Sequence, residues 1–227
     1  MKTKLFTWLG REFVEIAGEG RSGAAPEAAV NELFQQFEAA LKSHGLSLDN
    51  TARIRVWGRD RDARMLATAA RSKILAGTRK AASSSFISRD WFDSAATAGL
   101  ELLAMRPSGP AAERRPVDFE PARNYLCYLD YDGLSFFSGF TSEASGPEEQ
   151  AVEVLATIGS ALTRARTDWS KVVKLSVFLQ RGHDLQIVRQ KLASVDRMNI
   201  PEIELPLVDG FAGEKYLLEI EATALAR

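Results

Sequence analysis

The sequence is short of the residues that build cross-links and metal sites. Of its 227 residues one is cysteine, Cys127, and two are histidine, His44 and His183. A single thiol excludes an intramolecular disulfide and any cysteine-based metal cluster, and two histidines make a histidine-rich zinc site a poor expectation. A surplus of one charge is missing too: 29 Lys and Arg stand against 30 Asp and Glu, a net charge of -1. Nucleic-acid binding by counterion release draws on a basic surplus, and there is none. Apolar runs last only a few residues, where a membrane-spanning helix takes roughly 20. The opening stretch from Met1 to Gly10 carries Lys2 and Lys4 but no secretory hydrophobic region. These absences lead us to expect a soluble, cytoplasmic protein with no metal, no cofactor, no nucleic-acid partner and no membrane contact.

What is present is an ordinary globular composition, 45% hydrophobic and 26% charged, enough apolar material for a packed core and too much for a disordered chain. The length suits one large domain or two small ones. Proline decides between them: Pro107, Pro110, Pro116 and Pro121 crowd one stretch that lacks periodicity and disfavours helix interiors and strands. Residues 107–121 are therefore expected to link a domain spanning 1–106 to another spanning 122–227.

The two halves repeat one another. At an offset of 121 positions Gly18 meets Gly139, Pro26-Glu27 meets Pro147-Glu148, Ala40-Leu41 meets Ala161-Leu162, and Val56 meets Val177. Each half opens with a hairpin-like pair of strands, Leu5–Leu9 with Glu12–Ala17 and Tyr125–Asp130 with Leu134–Ser138. A long helix follows, opened by proline at its first turn with glutamate behind it, an arrangement that suits the positive end of the helix dipole. Val30, Leu33, Phe34, Phe37 and Leu41 form an apolar stripe on the first helix; Val152, Leu155, Ile158 and Leu162 form one on the second. Next comes a strand (Ala52–Trp57; Val172–Phe178), a second helix beginning near Asp62 or Asp184, and two closing strands that end in Leu100–Met105 and Tyr216–Ala224. The order ββαβαββ predicts an α+β fold: two tandem units, each a mixed sheet backed by two helices.

Phe136-Phe-Ser-Gly-Phe140, Lys171–Phe178 and Leu218–Ala224, taken in order and spacing, resemble the RidA/YjgF family of reactive-intermediate (enamine/imine) deaminases, also labelled L-PSP endoribonucleases. The C-terminal half is covered nearly end to end, and the N-terminal half more faintly through Ile16–Gly18, Thr51–Trp57 and Glu101–Ala104. The resemblance implies a chorismate-mutase-like fold, a homotrimer (here six units, a pseudo-hexamer), and pockets between neighbouring subunits. It implies a substrate-binding role for Tyr125, Ser138 and Gly139, and a catalytic role for Glu219 in managing the attacking water. It also implies an arginine that grips the substrate carboxylate, and there the chain departs: Pro201-Glu-Ile-Glu-Leu205 puts Ile203 at that substrate-contacting position. An isoleucine offers none of the paired, charge-assisted hydrogen bonds of a guanidinium. Little or no deamination of 2-aminoacrylate is the consequence expected.

Other candidates come from the residues themselves. Glu101 is taken as the first-half counterpart of Glu219. Arg53, Arg55 and Trp57 share one strand face, where Arg55 could bind an anionic or planar ligand; the alternative is a solvated face or one salt-bridged between subunits. Arg59, Arg61, Arg64 and Arg71, interrupted by Asp60 and Asp62, read as a solvated surface. Ser83–Ser85 lack a histidine partner for a hydrolase triad, and Gly18–Gly23 lacks the P-loop lysine. The function expected is hydrolysis or deamination of a small-molecule imine or enamine. A non-catalytic ligand-binding or regulatory protein of the same fold is the alternative, and a chorismatase-like hydrolase a smaller one. Ribonuclease activity fits poorly with the neutral charge.

Overall fold

The computed structural model describes residues 1–196 and 200–226. Strands β1 (Lys2–Trp8) and β2 (Arg11–Glu19) form a hairpin whose turn, Leu9-Gly10, holds both residues at positive φ, as a tight turn between right-twisted strands requires. Helix α1 (Pro26–Ser43) and one 3-10 turn lead to β3 (Thr51–Gly58), then α2 (Arg61–Ile74), β4 (Ala82–Ile87) and β5 (Ala98–Met105). The second half repeats the plan: β7 (Leu126–Tyr131), β8 (Leu134–Phe140), α3 (Pro147–Arg164), β9 (Val172–Gln180), α4 (Leu185–Asp196), β10 (Glu202–Glu204), β11 (Leu207–Val208) and β12 (Leu218–Leu225). The sheets run β1-β2-β5-β3-β4 and β10-β9-β12-β8-β7-β6, with β11 also pairing β9. This is the tandem α+β architecture expected.

The offset of 121 holds from α1 to β3: Pro26 and Pro147, Leu48 and Trp169, and Thr51 and Val172 each begin corresponding elements. Other expectations shift. Strand β6 (Arg114–Asp118) falls inside the proline-rich stretch and pairs antiparallel with β7. Pro116 is accommodated because β6 is the edge strand of its sheet, where a missing N–H need not break a ladder. The cap of α2 is Asp60, whose side chain accepts from the Ala63 N–H at 2.8 Å, rather than Asp62. Val152 is exposed, and Val154 takes its place in the stripe of α3.

Each sheet buries alternate residues under its own helices. Ile54, Val56, Leu100 and Leu102 pack on α1 and α2, and Leu175, Val177, Ile220 and Ala222 occupy the equivalent places under α3 and α4. The other faces of the two sheets pack against each other. Phe13, Met105, Leu129, Leu134 and Phe136 fill one end of that contact, and Trp57, Phe86, Phe178 and Phe211 the other. Phe86 and Phe178 stack with ring centroids 3.9 Å apart. The apolar sheet face from which trimerisation was expected is thus covered by the chain's own other half. Phe136 and Phe178 lie in that intramolecular contact, while Val177 faces the helices.

A charge cluster crosses the same contact. Glu221, 1% exposed, accepts from Arg55 Nη2 at 2.7 Å, lies 3.4 Å from Arg53 Nε, and takes a hydrogen bond from the Ser84 hydroxyl. Arg55 also reaches Glu101 at 2.6 Å and Ser176 at 3.2 Å. Arg53 donates to the carbonyls of Phe137 and Ala222 at 3.1 and 2.7 Å. Despite burial, the two guanidiniums hold the Glu221 carboxyl down to about 2. Removing one member of such a cluster strands the others without a counter-charge. Glu221→Gln is expected to destabilise the chain by about 3–5 kcal/mol in urea unfolding, whereas Glu101→Gln, with Arg55 still paired, costs much less. Equal losses in the two variants would show that the cluster does not hold the halves together.

Candidate functional site

Two glutamates on β12, two residues apart and therefore on one face, meet opposite surroundings. Glu221 is ion-paired. Glu219, 6% exposed, has no hydrogen bond or ion pair to a described residue. Burial pushes its carboxyl well above the ordinary 4.5, the negative charge of Glu221 adds to the rise, and Arg64 and Arg55 oppose it only in part. The two carboxyl groups are thus pushed in opposite directions, Glu219 toward its protonated form and Glu221 toward its ionised one.

The carboxyl group lies directly on Gly139, where a Cβ would come within 1.8 Å of Oε1. The register explains how Gly139 comes to be there. Along β12, Ile220 pairs with Phe140 and Ala222 with Phe137, so β8 carries a bulge at Ser138-Gly139. The first half has none: Leu100 and Leu102 pair with Gly18 and Ile16 without a gap. In the ladder Gly18 therefore corresponds to Phe140, and Gly139 is the added residue that lets a carboxyl group approach the backbone.

Around Glu219 opens a cavity of about 450 Å³. The C-terminal half contributes Tyr125, Gly139 and Glu219; the N-terminal half contributes Ser83, Ser84 and Ser85 of β4 and one face of α2, Arg64, Thr68 and Arg71. Spacings of four and seven place those three side chains together, while Ala63, Ala67 and Ala70 turn to the core. Gly58 lets α2 begin hard against β3, since a Cβ there would lie 2.4 Å from the Arg64 nitrogen. Arg64 donates to the Ser85 hydroxyl at 2.5 Å. Burial, then the charge of Arg64, lowers Arg71 to about 10.

The expected site residues separate on this basis. Tyr125 lines the cavity, its hydroxyl accepting from Arg123 at 2.8 Å and its proton affinity raised by burial. The Ser138 hydroxyl accepts from the Ser83 N–H at 3.0 Å and clamps β8 to β4. Ile203, on β10, packs into the core of the C-terminal half, away from the cavity. Arg55 is committed to Glu221 and Glu101 and borders a different cleft. Glu101 is the counterpart of Glu221, not of Glu219: it pairs with Arg55 as Glu221 pairs with Ser176, and Arg55 and Ser176 are 121 apart. Glu219 pairs with Phe178 and Gly99 with Trp57, so Gly99 is its true counterpart, and the ring of Trp91 lies on it. Arg64 and Arg71 are not a solvated surface but cavity wall. The signal for them was the spacing of 64, 68 and 71 opposite three alanines.

No protein-family model matches the sequence, and no curated protein matches it. Solved structures do. A chorismatase structure is 16% identical and aligns over 97% of this chain and 79% of its own, with a TM-score of 0.64. A member of the YjgF/YER057c/UK114 family from Mycobacterium tuberculosis is 23% identical over 50% of this chain and 100% of its own, TM-score 0.46. A Rid-family protein of unknown function from Yersinia pestis is 21% identical with the same coverage, TM-score 0.46. The chain is similar in fold to a tandem of two RidA-like units.

The state of Glu219 has a consequence for stability. A carboxyl group whose proton affinity is higher in the fold than in the unfolded chain loses stability as pH rises above about 4.5, until the folded group itself ionises. Glu219→Gln removes that loss. We expect the variant to melt above the parent protein at pH 8 and level with it at pH 4; a difference independent of pH would mean that Glu219 is ionised in the fold.

Proposed function

We propose that the protein is a RidA-type hydrolase that deaminates an imine or enamine of a small anionic metabolite at Glu219. The observation that carries this is a buried carboxyl group, pushed toward its protonated form, in one cavity with two buried guanidiniums. Arg64 and Arg71 supply from a helix the anion grip that Ile203 cannot.

The chemistry follows from the proton on Glu219. An enamine carbon takes that proton, and its nitrogen lone pair closes a C=N bond, leaving an iminium beside the new carboxylate. A substrate that is already an imine enters here by taking the Glu219 proton on its nitrogen. Water adds to the iminium carbon while the Glu219 carboxylate takes one of its protons. The carbinolamine passes its hydroxyl proton to nitrogen, the C–N bond breaks, and ammonia and a carbonyl compound leave. Glu219 ends protonated as it began. General acid–base catalysis of this kind contributes typically about 10²–10⁴ in rate. Tyr125 and Gly139 shape the wall around the reacting carbon.

A second reading, hydrolysis of an enol ether, draws support from the fold likeness to a chorismatase along nearly the whole chain. An enol ether is protonated at the same carbon as an enamine, and the same acid serves; the leaving group is then an alcohol rather than ammonia. Freshly generated enamines assayed for ammonia, and enolpyruvyl ethers assayed for pyruvate, separate the two. Glu219→Gln is expected to lower kcat by about 10²–10⁴ while leaving binding of product analogues within a few-fold. Turnover unchanged in that variant would exclude Glu219 as the proton donor, and binding without turnover in the parent protein would make it a ligand-binding protein of this fold.

A further inference from the structure

We propose that the ligand of the Glu219 cavity is a dicarboxylate, one carboxylate taken by Arg64 and the other by Arg71. This rests on the reading of that cavity as the ligand site and adds the substrate class to it.

The ground is an imbalance of charge that nothing in the chain corrects. Arg64 and Arg71 are 8% and 6% exposed, and both line the cavity. The Nε of each lacks a hydrogen-bond partner, as does the Thr68 hydroxyl between them. Neither guanidinium is within ion-pair distance of a carboxylate among the described residues. Arg53, equally buried, shows the usual solution: it lies against Glu221 and caps two carbonyls. Glu219 lines the same cavity but makes no ion pair with Arg64, and burial pushes its carboxyl group toward the protonated form. Arg123 has its own partners, the Tyr125 hydroxyl and the face of Phe119. The α2 side of the cavity thus holds two guanidiniums with no ion-paired carboxylate among the described residues, and Arg123, engaged by neutral partners, adds a third cation to the wall.

Buried unpaired charges are strongly unfavourable and persist where a ligand completes them. A monocarboxylate corrects one charge and leaves the other. The two arginines are also separated along the helix: seven residues rise about 10.5 Å, so their guanidiniums reach the cavity from different turns. Two carboxylates on a short carbon chain match two separated cations; one compact anion meets one of them. A substrate of this class is the imine or enamine of an amino dicarboxylic acid, and a reaction that oxidises or eliminates from such an amino acid would supply it.

The test needs no turnover. Succinate and glutarate, butyrate, and inorganic phosphate are titrated into the full chain by calorimetry at pH 7.5. We expect the better dicarboxylate to bind about tenfold to a hundredfold tighter than butyrate, the range for one added charge-assisted contact. Arg64→Met and Arg71→Met should each abolish that preference, and Arg71→Lys should keep a part of it. Because Arg71 has no partner in the free protein, Arg71→Met should also raise the melting temperature without ligand, where loss of a merely structural arginine would lower it. Equal binding of butyrate and succinate, phosphate binding tighter than either dicarboxylate, or a preference that survives both methionine variants would overturn the proposal. Should the methionine variants fail to fold, the parent protein's ranking and Arg71→Lys decide. A dicarboxylate preference together with normal turnover in Glu219→Gln would keep the ligand class and discard the chemistry. Glu219-dependent turnover with no such preference would do the reverse.

Discussion

The contact between Glu221 and the guanidiniums of Arg53 and Arg55 does two jobs at once. It is the polar centre of an otherwise apolar junction between the sheets, and its direction is specific, because Arg53 also needs the carbonyls of Phe137 and Ala222. Apolar surfaces alone would tolerate a slide of one sheet over the other; a buried, fully engaged ion cluster does not. With that register held, β4 lies along β8, Ser83 meets Ser138, and α2 is brought over Gly139. The second job is electrostatic. Glu221 holds the negative charge on that face of β12, and its field makes a second charge at Glu219 costly. A structural carboxylate thereby keeps the proton on its neighbour, a pairing of environments that divides acid from base in many active sites.

The halves have diverged into complementary roles, which a tandem chain permits and an assembly of identical subunits does not. The C-terminal half keeps the acid and the bulge beneath it; the first half has Gly99 and the Trp91 ring in the corresponding space. Conversely, the first half keeps the helix that carries the cations. Four residues past the capping aspartate of α2 stands Arg64, and four past Asp184 stands Val188, buried in the core. Neither half has both parts. The Glu219 cavity is therefore composite, each half supplying a part that the other lacks.

Much of this was legible in the sequence. The proline-led helices, the strand after each, and the offset of 121 gave the repeated architecture, because backbone preferences and apolar periodicity act locally. Glu219 was singled out through the family resemblance, and it lines the cavity between the halves. What escaped depends on contacts between halves. Arg64 and Arg71 stand on the side of α2 away from its own core, and on an isolated domain that side faces water; the second half buries it. Glu101 was matched to the wrong glutamate because Glu219 and Glu221 stand two residues apart on one face of β12, and a strand's period of two does not separate them without the ladder register. The arginine missing at Ile203 suggested a weakened anion site, yet the cavity never draws on that strand.

The arrangement ties binding to protonation. An anion seated on Arg64 and Arg71 screens the two cations that oppose the proton on Glu219 and brings negative charge of its own nearby, so it raises the proton affinity of that carboxyl group further. Coupling between two sites is reciprocal. If the bound anion strengthens proton binding, the proton must strengthen anion binding by the same factor, and ionised Glu219 weakens it. On the proposed reading, binding of the anion offsets the cost of the two buried guanidiniums and raises the proton affinity of Glu219 until the substrate carbon takes the proton. When it does, the new carboxylate lies between cations and a fresh iminium, each of which stabilises the charge just formed. The groups that make the empty cavity unfavourable are those that favour the first proton transfer once it is filled.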